Sequence, residues 1–153
     1  MGNTSNLTLK RYVAEHLEDI ARIERSSFSS PWPRGGLQKC LGEKSVRCLV
    51  VCDREKVVGY IIFTSVDATS SVILNLAVRS SYRRLGIASR LLRRVKAGLE
   101  KRKKKCLRII VDEYDLAVQL LARHVGFRHV KILRRHCSVT RHDAYLLEWK
   151  FGP

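Results

Sequence analysis

The chain has 153 residues, of which 45% are hydrophobic and 29% are charged. This balance excludes an intrinsically disordered protein and predicts one globular domain. Thirty Lys and Arg residues stand against 14 Asp and Glu residues, which gives a formal net charge of +16. Such a charge favours an acidic partner, whether nucleic acid, a ribosome, a phosphorylated cofactor or an anionic membrane, without choosing among them.

The apolar segments of the chain are too short for a membrane-spanning helix or a secretory signal. The longest strongly apolar stretch covers residues 57–63, whereas a spanning helix needs about 20 residues. The five cysteines are odd in number and contain no C-x-x-C pair, which favours reduced thiols over a disulfide framework or a zinc site. We therefore expect a cytoplasmic protein that is not anchored in a membrane and holds no metal.

The periodicity of apolar residues predicts six elements after a short tail of residues 1–6. A strand over residues 7–12 alternates apolar and polar residues, and an amphipathic helix follows over residues 14–26. A proline-containing turn separates this helix from a short one near residues 36–41. Three closely spaced strands then predict an antiparallel meander. These strands cover residues 47–52, 57–65 and 71–78.

The second half of the predicted domain alternates helices and strands. Its elements cover residues 87–103 (helix), 106–111 (strand), 115–125 (helix), 127–133 (strand) and 144–151 (strand). Gly126 stands where the second of these helices needs a C-cap. The domain of residues 7–153 is thus predicted to be α/β, a mixed sheet of about seven strands flanked by about four helices.

The fourth predicted strand leads through a polar turn into the long helix, and this junction carries the most informative pattern. A helix N-terminus offers unpaired N–H groups and a partial positive charge. The small residues Gly86 and Ala88 would let a pyrophosphate approach those groups closely. Ser89 adds a hydroxyl, and Arg83 and Arg84 add positive charge. The pattern indicates a phosphate site, although an ordinary helix start in a basic protein would also explain it.

The segment R-R-L-G-I-A at residues 83–88 fits the R/Q-x-x-G-x-G/A signature of the Gcn5-related N-acetyltransferase (GNAT) superfamily. It lies where that superfamily has it, between the fourth strand and the third helix, and the predicted element order resembles the GNAT fold over residues 7–151. Four further segments resemble the bacterial ribosomal-protein-alanine N-acetyltransferases. These are IERSSFSSPW at 23–32, NLAV at 75–78, VGF at 125–127 and HDAYLLEW at 142–149.

The resemblance implies an acyltransferase that uses acetyl-coenzyme A as its co-substrate. It implies that the strand backbone pairs with the pantetheine arm at Leu76, Ala77 and Val78. It further implies that the pyrophosphate is held by a turn made of Arg83, Arg84, Leu85, Gly86, Ile87, Ala88 and Ser89. Asp115 stands at the position where the family has an Asn near the cofactor.

The catalytic residues that the resemblance implies are replaced in this chain. Amide formation from a thioester needs a neutral amine, a stabilised oxyanion and a proton for the leaving thiolate. Where the family has a Glu and two Tyr residues, this chain has Ile110, Ala122 and Cys137. Asp112, two residues beyond Ile110 and so on the same strand face, is a candidate base acting through a water. Tyr145 on the last strand is a candidate acid.

Both candidates also have a structural interpretation. Asp112 belongs to an acidic loop that can pair with arginines, and Tyr145 suits an ordinary sheet position. Four of the five histidines lie in the last third of the chain, and we expect surface or packing roles for all of them. The four are His124, His129, His136 and His142. These replacements predict a slow or altered acetyltransferase, or a descendant that binds coenzyme A without turnover.

Basic residues are concentrated between the third helix and the fifth strand, where Glu100 is the one acid. The ten basic residues are Arg90, Arg93, Arg94, Lys96, Lys101, Arg102, Lys103, Lys104, Lys105 and Arg108. Three interpretations of these residues are open. Either they simply form a solvated helix face, or they attract the phosphorylated donor, or they contact RNA or a ribosome through counterion release.

Two functions follow from these observations. The first is an N-acetyltransferase that acts on an amine, above all the N-terminal α-amino group of a ribosomal or other protein. The alternative is a GNAT-fold module of weakened or lost catalysis that binds coenzyme A, RNA or the ribosome through its basic face. In either case we expect a monomer.

Overall fold

The computed structural model describes residues 6–152, and they form a mixed α/β fold with one seven-stranded sheet and four α-helices. The strands are β1 (Leu7–Arg11), β2 (Val46–Asp53), β3 (Lys56–Ser65), β4 (Ser70–Val78), β5 (Cys106–Asp112), β6 (Arg128–Leu133) and β7 (Ala144–Lys150). The helices are α1 (Leu17–Ser27), α2 (Arg34–Leu41), α3 (Ile87–Lys101) and α4 (Leu116–His124). The strand order in the sheet is β1-β2-β3-β4-β5-β7-β6. The predicted fold class and order of elements are confirmed.

Several helix boundaries differ from the prediction by one to three residues, and two of these differences have a clear local reason. The first helix begins with a 3₁₀ turn at Ala14–His16, and the His16 imidazole accepts a hydrogen bond from Val13 N at 3.0 Å. At the other boundary, α3 ends at Lys101 because Lys103 takes a left-handed φ of 58°. Lys104 N then donates to Leu99 O at 3.1 Å, which closes the helix end.

The described part of the chain divides into two compact units, one of residues 6–64 with 75–92 and one of residues 65–74 with 93–152. Residues 1–5 and Pro153 lie outside the described part of the chain, and so does nearly all of the predicted tail.

The first unit contains the antiparallel strands β1, β2 and β3. Val51 pairs with Leu9 on one side and with Gly59 on the other, and the β2–β3 ladder shifts between Val51 and Cys52. Helix α1 buries its apolar face here, and α3 begins here. The α1 residues that are buried are Leu17, Ile20, Ala21, Ile23 and Glu24. The buried face of α1 therefore contains one acid, Glu24, among four apolar residues.

The second unit is built on β5, which runs parallel to the first half of β4 and antiparallel to β7. Strand β6 pairs with β7 at the edge of the sheet. Asp115 caps α4 by accepting a hydrogen bond from Val118 N at 3.3 Å. Gly126, with a φ of 104°, follows the end of that helix as predicted. Within residues 6–152 there is no helix of the length and hydropathy that crossing a membrane requires.

Candidate active site

The turn between β4 and α3 presents backbone N–H groups on an exposed surface. Arg84 and Gly86 both adopt left-handed φ values, 62° and 78°. The first helical hydrogen bond runs from Arg90 N to Gly86 O at 2.9 Å, so the N–H groups just before Arg90 have no acceptor inside the helix. Arg83 Nε donates to Val78 O at 3.1 Å, which ties the turn back to the end of β4.

Two glycines make this junction possible. A Cβ built on Gly86 meets nothing within 4 Å, so this residue is required by its left-handed backbone, and the space in front of it is open. A Cβ on Gly59 would lie 2.8 Å from Ile87 Cγ2 and 3.4 Å from Val78 Cγ2. Gly59 therefore lets β3 pack directly against the first residue of α3. This role of Gly59 was not predicted from the sequence, where the residue is simply part of an apolar stretch.

The predicted donor-binding residues differ in how they are exposed. Leu76, Ala77 and Ile87 are buried, so they could offer a ligand only their backbone. Arg83, Arg84, Leu85 and Gly86 are exposed, whereas Ala88 and Ser89 are half-buried. Asp115 belongs to the second unit, and its carboxylate is already engaged as the cap of α4.

A buried carboxylate organises the segment that precedes α2. Glu24 is 1% exposed. Its Oε1 accepts a hydrogen bond from Trp32 N at 3.1 Å, and its Oε2 accepts one from Asn75 Nδ2 at 2.7 Å and another from the Tyr60 hydroxyl. Burial, together with the charge of Glu24, raises the pKa of Tyr60, so its hydroxyl stays protonated and donates.

This cluster fixes the Pro31–Trp32 segment to β3 and to the residue that precedes Leu76. The segment was identified from the sequence by resemblance alone, and no role was predicted for Glu24. The available signal was a glutamate on the apolar face of an amphipathic helix, where an acid is costly unless hydrogen bonded.

The second unit contains a cavity of about 330 Å³. It is lined by Val72, Ile73, Leu74, Ile110, Asp112, His136, Cys137, His142, Asp143 and Ala144. Ile110 and Asp112, which strand alternation places on one face, both line it. Ile110 is 41% exposed, so an aliphatic side chain stands where the resemblance implies a Glu.

Asp112 and His142 form a pair in this cavity. His142 Nδ1 lies 3.0 Å from Asp112 Oδ2 and 3.3 Å from Oδ1. Tyr114 N donates to Asp112 Oδ1 at 2.9 Å, and the Tyr114 ring packs edge-on against the imidazole at 4.5 Å. The pairing of His142 with Asp112 was not predicted from the sequence. The two residues are 30 positions apart, and such a separation leaves no local pattern.

The loop that carries His142 is fastened beside β5. Asp143 accepts hydrogen bonds from Arg135 N at 2.8 Å and from Arg134 Nη1 at 2.9 Å, and these bonds lower the pKa of Asp143. Asp143 N donates to Glu113 Oε1 at 3.0 Å, while Glu113 N donates to Asp143 O at 2.9 Å. These contacts hold the residue next to His142 at both its backbone and its side chain.

Cys137 supplies a thiol to the same cavity. Hydrogen bonds from the Thr140 side chain, then from the backbone of Thr140 and Val139, lower the pKa of Cys137. All five cysteines of the chain are free thiols. Among residues 6–152, no group of three His, Cys, Asp or Glu side chains is arranged to hold a metal ion.

The structure does not bring Tyr145 together with Asp112. Asp112 pairs across the strands with Ala144, which lines the cavity, whereas Tyr145 pairs with Val111. Successive side chains of a strand point to opposite faces. The Tyr145 ring packs instead against His129 at 5.1 Å, so the predicted base and the predicted acid lie on different faces of the sheet.

Comparison with known proteins shows a family match and a shared fold. Residues 17–127 match the acetyltransferase (GNAT) family. A curated relative, an uncharacterized N-acetyltransferase of Methanocaldococcus jannaschii, is 32% identical over 90 residues, which are 57% of this chain and 55% of the relative. The chain therefore spans about half the length of that relative.

Two crystal structures show the same fold. The ribosomal-protein-S18-alanine N-acetyltransferase from Escherichia coli is 22% identical with a TM-score of 0.87, covering 96% of this chain and 95% of that one. NAA60 of Arabidopsis thaliana, solved in complex with acetyl-CoA, is 18% identical with a TM-score of 0.87, covering 96% and 99%.

Proposed function

Because the chain belongs to the acetyltransferase (GNAT) family, we propose that it is an N-acetyltransferase that moves the acetyl group of acetyl-coenzyme A to an amine. The observation that carries this proposal is the turn before α3, where Arg84 and Gly86 are left-handed, a Cβ on Gly86 would meet nothing within 4 Å, and the N–H groups just before Arg90 have no acceptor inside the helix. Such groups bind phosphate through hydrogen bonds and the helix dipole. The pyrophosphate of coenzyme A is a ligand of that chemistry.

The other donor contacts follow from the same junction. Arg83 and Arg84 bring exposed positive charge to the turn, and Ser89 brings a hydroxyl. The backbone of Leu76, Ala77 and Val78 is the part of β4 that the resemblance assigns to the pantetheine arm. The N–H groups of that strand would also stabilise the oxyanion of the tetrahedral intermediate.

We propose the N-terminal α-amino group of a protein as the acceptor. The E. coli protein that shares this fold is, by its name, an N-acetyltransferase of an alanine in a ribosomal protein. In this chain, the Pro31–Trp32 segment is held in one place by the buried carboxylate of Glu24. A fixed segment of this kind can position an extended peptide so that its terminal amine reaches the thioester.

A panel of peptides tests the acceptor. The purified protein is incubated with acetyl-coenzyme A and peptides that begin with Ala, Ser or Met, each with and without an internal Lys, and the products are identified by mass spectrometry. We expect one acetyl group per peptide, located at the N-terminus, with a preference for one class of first residue. Acetylation of the internal Lys alone would contradict the proposed acceptor.

A second candidate function is RNA or ribosome binding. It is supported by the number of cations between residues 90 and 108 that are exposed and have no acidic partner among the described residues. Within the part of the chain that the structure describes, Arg108 has an ion pair, with Glu148 at 2.7 Å. Lys96 turns inward over the Trp149 ring and donates to Val125 O at 2.6 Å. In the second unit, six cations of the cluster are exposed without an ion pair to any described residue; they are Arg93, Arg94, Lys101, Arg102, Lys103 and Lys105. This surface suits a polyanion.

A further inference from the structure

Acetyl transfer requires a group that accepts a proton from the amine. We consider the side chains that line the cavity of the second unit as candidates for this group. Ile110 cannot accept a proton. The carboxylate of Asp143 is taken up by Arg134 and Arg135. The Cys137 sulfur, which also lines the cavity, accepts hydrogen bonds from Thr140 and Val139. His136 lines the cavity as well, but the titratable pair with a defined mutual geometry there is Asp112 with His142.

We propose that His142 is the catalytic base of this acetyltransferase and that Asp112 is its positioning residue. This inference rests on the proposed function and assigns a residue to it. The side chains of His142 and Asp112 are 35% and 38% exposed, so both are held by the protein and remain open to a ligand from the cavity.

The hydrogen bond between the two side chains determines which imidazole nitrogen is available. An ionised carboxylate only accepts hydrogen bonds. With Asp112 Oδ2 at 3.0 Å, Nδ1 of His142 therefore carries the proton, and Nε2 carries the lone pair that takes a proton from an amine. The arrangement has the logic of a carboxylate–imidazole pair, in which the acid orients the base and stabilises its charged form.

Two further contacts keep the pair in this orientation. Tyr114 N holds Asp112 Oδ1, and the Tyr114 ring packs on the edge of the imidazole. The bonds between Asp143 and Glu113 fasten the neighbouring backbone. Asp112 is thus occupied at both oxygens and is better placed to orient His142 than to act on an amine itself.

The step balances without any further reactant. The amine nitrogen attacks the thioester carbonyl carbon, and the N–C bond forms as the amine proton passes to Nε2 of His142. The C–S bond then breaks, and its electron pair stays on sulfur. The imidazolium returns the proton to that thiolate, so free coenzyme A leaves as a thiol and His142 is again neutral.

The test compares His142→Ala with His129→Ala, a matched control. His129 lies on β6, packs against Tyr145 and does not line the cavity. We expect His142→Ala to lower kcat by about 10²- to 10⁴-fold, the usual contribution of a general base, with little change in the KM for acetyl-coenzyme A. His129→Ala should keep wild-type kcat.

Chemical rescue separates a proton acceptor from a merely structural residue. Free imidazole should restore a measurable part of the kcat of His142→Ala, because it can occupy the vacated space. It should not restore Asp112→Asn, which keeps its own imidazole in the wrong orientation. Thermal unfolding of each variant confirms that it is folded.

Three results would overturn the inference, and they are distinguishable. A folded His142→Ala with kcat within about threefold of wild type would remove His142 from the mechanism while leaving the proposed function intact. Loss of activity without any rescue by imidazole would make His142 structural. A wild-type chain that acetylates none of the peptides would overturn the proposed function itself and the base with it.

Discussion

Glu24 shows how one buried side chain can organise a site. An ionised carboxylate taken out of water costs several kcal/mol unless hydrogen bonds replace its hydration. Here three donors do so, from Trp32, Tyr60 and Asn75. The same acid that would destabilise the core therefore connects the Pro31–Trp32 segment with two strands.

Replacing Glu24 by Gln tests this role. The amide keeps one acceptor oxygen, but its NH₂ group faces the Tyr60 hydroxyl and the Asn75 amide, which are then poorly paired. We expect a loss of about 1–3 kcal/mol in the free energy of unfolding, measured by urea denaturation. The control is Glu18→Gln on the same helix, because Glu18 makes an exposed ion pair with Arg34 worth about 1 kcal/mol at most. Equal effects of the two changes would contradict the role of Glu24.

At the scale of the element, the position of the first turn of α3 depends on the preceding turn and on β3 more than on the residues of the helix itself. Gly86 provides a left-handed φ of 78° with open space in front of it, and Gly59 lets β3 approach Ile87 closely. These two glycines together fix the position of the N–H groups at the start of α3.

Gly86→Ala should therefore weaken the binding of acetyl-coenzyme A. An L-residue in the left-handed region costs about 1–2 kcal/mol, and the backbone relieves this cost by moving the N–H groups away from the phosphate. We expect the Kd, measured by calorimetry, to rise about tenfold. The matched control is Gly98→Ala in the interior of α3, where a Cβ meets nothing within 4 Å. It should leave the Kd unchanged and stabilise the helix; a Gly86→Ala variant that binds as tightly as Gly98→Ala would refute the assigned turn.

The elements themselves could be predicted because their signals are local. Apolar and polar alternation over residues 7–12, helical spacing after Ile87 and the glycine at 126 are all properties of neighbouring residues. The candidate site is predicted from equally local signals in the turn of residues 83–88, and the donor contacts assigned to that turn stay a prediction. The Glu24–Asn75 and Asp112–His142 contacts join residues 51 and 30 positions apart, and no sequence period encodes such a pairing.

At the scale of the whole molecule, the net charge of +16 is the feature that an acetyltransferase reaction explains least. The proposed donor site at the turn before α3 would use the charge of two arginines, while most of the cluster between residues 90 and 108 is exposed. Binding of a polyanion to this surface would release counterions and so depend steeply on salt.

Binding of a labelled single-stranded RNA, followed by fluorescence anisotropy at several salt concentrations, tests this second function. We expect log K to fall linearly with log salt. The triple variant Lys101→Gln, Arg102→Gln, Lys103→Gln should bind more weakly with a shallower slope, because every cation that no longer neutralises a phosphate reduces the slope by about 0.7 for a single strand. Salt-independent binding, or an unchanged slope in the variant, would rule out phosphate binding at this surface.

Release of free coenzyme A thiol from acetyl-coenzyme A distinguishes an enzyme from a binding module in a single measurement. The purified chain is supplied with a peptide that has a free N-terminus or with the same peptide already acetylated at that position. We expect thiol to appear together with acetylated product, in equal amounts, and only with the unblocked peptide. Thiol release at the protein-free rate with both peptides, while coenzyme A still binds, would contradict an N-acetyltransferase and leave a binding module of the same fold.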